Sequence, residues 1–234
     1  LEYFCAWSFV WQFMVTQTIG KDGLINDIFG SHWRDEKWHE VLRLISGMID
    51  SKFVGDIISY LMEQDGEEEK FQNLFLAGKC MSEVRSSQGI DDVESRLLNR
   101  LKDLTSTSKN WKVRSEAVRQ IASGWKQEPG NLELLKQWVV SHESKLVRRV
   151  AVQQIATVWK QEPGNLELLK QWVVSDESED VRSEAVRQIA TVWKQEPGIL
   201  DSLKQMVVSD ESERVRCEAV RQIATVWKQE PGIL

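Results

Sequence analysis

The sequence predicts an all-α protein, a helical segment followed by an α–α superhelix in which 34-residue helix pairs stack as a solenoid. Three observations predict it. The hexapeptide Trp-Lys-Gln-Glu-Pro-Gly begins at Trp125, Trp159, Trp193 and Trp227, always 34 residues on. Apolar residues recur at helical spacing along the whole chain, and no stretch alternates apolar with polar as a half-buried strand does. The breaks between these stretches fall on Gly, Pro, Asn and Asp. A fixed period of about 20–50 residues marks stacked units, none of which can bury its apolar face alone. Residues 125–158 and 159–192 are identical at 28 of 34 positions, as are 159–192 and 193–226, so the units arose by duplication.

Each repeat reads as two helices. In the first, Asn165 to Val174, residues Leu166, Leu168, Leu169, Trp172 and Val173 share one face. Pro163-Gly164 ends the preceding helix, and the Asn165 side chain is placed to cap the new one. The acidic stretch Ser175 to Asp180 suits the positive end of the second helix, Val181 to Lys194. Winding that helix puts Val181, Ala185, Val186, Ile189, Val192 and Trp193 in one arc of about 140°. Ser183, Glu184, Arg187, Thr191 and Lys194 fall opposite and are expected in solvent. A degenerate first unit covers Val93 to Leu104 and Val113 to Lys126, which makes about four helix pairs over 91–234. The array breaks off at Pro231 to Leu234, where another first helix is due, and Val226 and Trp227 are expected to lie partly uncovered there.

The Val-Arg-x-x-Ala-(x)3-Ile words at Val113, Val147, Val181 and Val215 resemble the second helix of HEAT repeats. Tetratricopeptide repeats share the period but not the pattern. The resemblance implies that Arg114, Arg148, Arg182 and Arg216 form a structural ladder against turn carboxylates. The residue before each Val departs from the family's Asp at Lys112, Leu146 and Arg214, leaving Glu143, Glu177 and Glu211 as substitutes.

Residues 1–90 carry no such period. Helices are expected over Leu1 to Ile19, Leu24 to Phe29, Lys37 to Ile49, Phe53 to Met62 and Glu69 to Ser86, broken at Gly20 to Gly23, Gly30-Ser31, Asp50-Ser51 and Asp65-Gly66. The order of Leu1-Glu-Tyr-Phe, His32-Trp33, Trp38-His-Glu-Val, Phe53 to Leu61 and Asn73 to Ala77 is similar to the helical segment that follows the ATPase core in NACHT-family STAND NTPases. That resemblance implies a large cytoplasmic switch, able to oligomerise, whose repeat array senses a ligand. An opening on Leu1 rather than Met fits an internal segment of a longer protein. No phosphate-binding Gly-(x)4-Gly-Lys-Ser/Thr loop occurs, so neither nucleotide binding nor catalysis is expected from this chain.

Composition narrows the remaining classes. With 30 basic and 36 acidic residues the net charge is -6, and no basic stripe of nucleic-acid-binding strength appears. Cys5, Cys80 and Cys217 are far apart and lack metal spacing, which fits a reducing compartment. The apolar start lacks the basic flank and cleavage site of a secretory signal and reads as a core helix, with no membrane association. His32 and His39 lie near carboxylates but seven residues apart, against the four of a helical zinc site, so capping and Trp packing are the expected roles. His142 replaces Asp176 and Asp210 and reads as a surface exchange. No nucleophile, base and orienting partner converge, and no cofactor or metal is expected.

Recognition therefore falls to the second-helix face, with Arg119, Arg149, Ser183, Arg187, Lys194 and Arg221 as the candidate interaction surface for a protein or other macromolecule. The six differences between the second and third repeats all lie in 142–153, which reads either as a recognition surface under change or as drift of a charged solvent face. The alternative function is a substrate-holding scaffold of the bilin lyase type, where related repeats also occur.

Overall fold

The computed structural model describes residues 1–84 and 89–228, and every regular element in them is helical. The chain forms an α solenoid class of fold and packs as two compact units, Leu1–Gly124 and Trp125–Leu234. Packing thus groups the first helix pair of the array with the N-terminal helices.

In the first unit, α1 (Glu2–Met14) lies on α3 (His39–Met48), α4 (Ser51–Glu63) on α5 (Gln72–Ser82), and α6 (Asp91–Thr107) on α7 (Trp111–Gly124), with α5 also touching α3, α6 and α7. Trp33, Phe29, Leu42, Ile45, Ile57 and Leu61 are fully buried at its centre. α1 stops five residues before the expected Ile19. There Gln17 takes a left-handed φ of 54°, and the Thr16 and Thr18 hydroxyls donate to the Gln12 carbonyl that the ended helix leaves free.

Two further elements differ from the pattern-based expectation. Gly30 does not break the chain: a π-helical stretch, Gly23–Phe29, runs directly into the short α2 (Gly30–His32). A Cβ at Gly30 would stand 2.6 Å from the Tyr60 hydroxyl, so the glycine serves close packing, not a turn. α5 starts at Gln72 instead of Glu69, because Lys70 and Phe71 both have positive φ. The Glu67 to Glu69 run therefore precedes the helix, and Glu69 pairs with Arg34 at 2.9 Å. Residues 85 and 86, expected at the end of this helix, lie outside the described residues.

In the second unit, α8 (Asn131–Ser141), α10 (Asn165–Ser175) and α12 (Ile199–Ser209) are the first helices of three pairs, and α9 (Lys145–Val158), α11 (Glu179–Val192) and α13 (Glu213–Val226) are the second. Each first helix packs on its own second helix. The second helices also pack side by side, α9 on α11 and α11 on α13. Trp159, Trp193 and Trp227 are all under 10% exposed, as the phase of the repeat demands; Trp227 is more covered than expected, while Val226 is half-buried. The end of the array at Pro231 to Leu234 lies outside the described residues.

Asn165 does not cap α10. Gly164 occupies the cap with φ 85°, and the fully buried Asn165 donates from Nδ2 to the Trp159 carbonyl at 2.9 Å, closing off the previous helix instead. Asn131 does the same to Trp125 at 3.0 Å. The left-handed cap leaves the Asn side chain pointing back, which only glycine at that φ allows cheaply.

Candidate interaction surface

The first-turn arginines close the turns that precede their helices, and two of them, Arg148 and Arg182, also reach carboxylates of the next repeat. Arg148, Arg182 and Arg216 each donate from Nη1 to the carbonyl six residues upstream, on His142, Asp176 and Asp210, at 2.9, 2.9 and 2.7 Å. Arg114 does so to Ser108 at 2.8 Å. Each arginine therefore ties down the turn that precedes its own helix. Arg148 then reaches the next repeat, pairing with Asp176 and Glu177, both at 3.2 Å. Arg182 repeats this with Asp210 at 3.5 Å and Glu211 at 3.4 Å. The substitute carboxylates Glu177 and Glu211 are used, but it is the turn aspartate that lies buried: the Arg148 and Asp176 side chains are each 7% exposed.

His142 is consequently not a surface exchange. It is 9% exposed, and its Nδ1 accepts from the Ser144 amide at 3.0 Å. Asp176 and Asp210 accept from the Ser178 and Ser212 amides at 2.8 Å through Oδ1. The imidazole thus takes over the side-chain-to-backbone turn bond of the aspartate.

The candidate surface itself divides. Ser183 is 4% exposed and Glu184 2%, so neither lies in solvent; Ser115, at the same repeat position as Ser183, is also buried. In α11 the flank that a single-helix projection assigns to water is covered by the neighbouring second helices. Glu184 pairs with Arg149 at 3.5 Å and Arg187 at 3.1 Å. Glu218 pairs with Arg187 at 3.1 Å and Arg221 at 2.5 Å. Arg149, Arg187 and Arg221 thus alternate with buried glutamates as a second ladder. Arg119 is exposed and pairs with Glu116 at 3.5 Å. A third series joins Lys145 to Asp180 at 2.7 Å and Asp180 to Arg214 at 2.5 Å.

These pairs change the meaning of the six differences between the second and third repeats. Lys145, Leu146, Arg149 and Val150, with the sister residues Glu179, Asp180, Ser183 and Glu184, line or flank contacts between adjacent second helices. Much of the variation thus falls on or beside the stacking interface.

What remains open is the lysine row. Among the described residues Lys126, Lys160, Lys194 and Lys228 are exposed and none makes an ion pair. Each follows the last turn of a second helix, where a cation is favoured by the helix dipole. Lys160 and Lys194 flank a cleft of about 200 Å³ that Thr191, Trp193, Gln195 and Glu196 also line. Val140, Val174 and Val208 are 74–84% exposed on the first helices.

Elsewhere two histidines and the buried thiol have structural roles. His32 stacks on Trp38 at 3.7 Å, and His39 Nε2 meets the Trp33 carbonyl at 2.7 Å. Burial pushes the Cys80 thiol up to about 12. Among the described residues no group of three or more His, Cys, Asp or Glu could hold a metal ion, and no helix is long and apolar enough to cross a membrane.

Arg148→Ala should destabilise the protein by about 3–5 kcal/mol in urea unfolding, because it strands a buried carboxylate, whereas Lys136→Ala, which removes an exposed pair with Glu133, should cost under about 1 kcal/mol. The hydrogen bond from Lys145, and then Arg214 and the other nearby cations, hold Asp180 below its ordinary 3.8 against the effect of its burial. Burial raises Glu218, but the bonds from Gln222 and Arg187, with the charges of Arg187 and Arg221, bring it below 4.5. A lowered carboxylate stabilises fully above its unfolded value and loses that contribution as pH falls through the folded one. The stability gap between wild type and Glu218→Gln should therefore be widest near neutrality and close below about pH 4, as measured by denaturant titration across pH.

A family model described as HEAT repeats matches residues 95–190 and again 166–231, together more than half of the chain. No curated protein and no solved structure matches it. With a period, a helix pairing and an arginine ladder that all agree, the chain belongs to the HEAT-repeat family.

Proposed function

We propose that this chain is a non-catalytic scaffold segment that binds a protein partner along its second-helix ends. HEAT repeats commonly serve protein interaction, and the observation that carries the site is the lysine row: Lys126, Lys160, Lys194 and Lys228 recur once per repeat, exposed and, among the described residues, without ion-pair partners, while the arginines beside them are held by glutamates. Neighbouring helices stand roughly 8–10 Å apart. An extended chain advances about 3.3 Å per residue, so acidic side chains at every third position of a partner segment match the row. The partner chemistry this favours is an acidic protein segment, read by charge spacing.

A finer reading rests on the order of the Leu1 to Ala77 words: the chain is the sensor portion of a NACHT-type switch, with residues 1–90 transmitting what the array binds. It is supported by the burial of Trp33 and by α3, which carries the Val41 to Ile45 word inward. The coding sequence upstream of Leu1 tests it. A phosphate-binding loop followed by a winged-helix pattern is expected, and an initiating Met directly before Leu1 would overturn it.

The surface is tested by affinity capture with quantitative mass spectrometry, comparing wild type with Lys160→Glu/Lys194→Glu after confirming equal thermal stability. Proteins recovered by the wild type should fall about tenfold or more with the variant, since two rim charges reversed cost at least about 1.4 kcal/mol. Equal recovery would remove the lysine row as the binding site. Arg187→Glu is unsuitable for this purpose because Arg187 stabilises Glu184 and Glu218.

A further inference from the structure

α1 is apolar on both sides. Its inner side is accounted for: Ala6 and Phe13 are buried, and the Phe13 ring stands edge-on to Phe53 at 4.9 Å. Its outer side is not. Tyr3, Phe4, Trp7, Trp11, Met14 and Val15 at its end are 44–73% exposed, and Trp7 stacks on Trp11 at 5.4 Å. Glu2 is the single charged residue of the helix. A helix that is hydrophobic all round is a buried helix.

The size of this stripe is informative. With aromatic side chains of about 150–250 Å² each, the exposed fractions amount to roughly 600–700 Å². That exceeds the roughly 300–600 Å² of the largest patch on an ordinary monomer and approaches the roughly 800 Å² that each partner contributes to a standard interface.

The spacing of the stripe selects the occupant. Tyr3 and Val15, Phe4 and Met14, and Trp7 and Trp11 are each equidistant from residue 9. Turned end for end, the stripe is its own complement, which is the requirement of a two-fold interface in which residue i meets j and j meets i. A lipid surface is a poorer match, because interfacial helices carry Lys or Arg for anionic headgroups and α1 has none.

We propose that the chain forms a homodimer through antiparallel pairing of α1 with α1 of a second copy, Trp7 of each against Trp11 of the other. A groove of about 520 Å³, lined by Tyr3, Trp7, Met48 and Ile49 among others, opens beside the stripe. It receives the second copy's indole. The pairing adds to the scaffold reading and does not depend on it: a dimer presents two repeat arrays.

The test has two arms, both on the full 234-residue chain. In sedimentation equilibrium the wild type should show twice the 27.1 kDa chain mass, and Trp7→Glu/Trp11→Glu should raise the dissociation constant about 100-fold or more while retaining helical circular dichroism. The second arm reads the register in a Cys5→Ser/Cys217→Ser background. Positions 4 and 14 of one helix are about 15 Å apart and cannot bridge within a chain. Phe4→Cys/Met14→Cys should therefore form a disulfide-linked dimer on mild oxidation, and Phe4→Cys alone should not. A wild type that stays monomeric at tens of micromolar, a dimer indifferent to Trp7→Glu/Trp11→Glu, or efficient cross-linking by Phe4→Cys alone would each overturn the proposal.

Discussion

The second unit depends on one interaction, the guanidinium of Arg148, and of Arg182 after it, held between the carbonyl of its own preceding turn and the aspartate of the next. A buried charge is tolerable only when it is paired and hydrogen-bonded. Here both conditions are met by backbone and side chains whose positions are already set by the helix pair. Each arginine thus links a local task, closing the turn before its helix, to a long-range one, joining that turn to its neighbour. The same residue repeated every 34 positions turns a series of helix pairs into a continuous stack.

Around that axis the middle second helix, α11, is buried far more than an amphipathic projection allows. α11 is covered by α10 on one side, by α9 and α13 on its flanks, and exposes little beyond Glu179, Arg187 and Thr191. Charged residues can occupy the flanks because the neighbouring repeat supplies the opposite charge. Glu184 sits between Arg149 and Arg187, and Glu218 between Arg187 and Arg221.

This is also the limit of what the sequence makes legible. The period, the helix pairs, the buried tryptophans and the arginine row follow from spacing alone, since each is a property of one repeat. The burial of Ser183 and Glu184, the turn role of His142 and the backward bond of Asn165 depend on what lies alongside, and a helical projection holds no neighbour. In the N-terminal unit the loss is different: Gly30 and Phe71 take conformations decided by Tyr60 packing and by a left-handed turn, neither of which leaves a periodic trace. Of the surface residues read from the sequence, Arg119 and Lys194 are exposed, Ser183 is buried, and Arg149, Arg187 and Arg221 pair with buried glutamates. The arginines that draw the eye are ion-paired, while among the described residues the lysines at the helix ends make no ion pair.

Units that are 28 parts in 34 alike carry a hazard of their own: a chain with interchangeable repeats can stack out of order, α9 closing directly on α13 with a repeat looped out. The third ion-pair series guards against that. Lys145 meets Asp180, and Asp180 meets Arg214, so the correct order alternates in sign. Skipping one unit would set Lys145 against Arg214, cation on cation. Positions 145, 180 and 214, where the duplicated repeats differ in charge, thus favour the native order of the second helices over that skip.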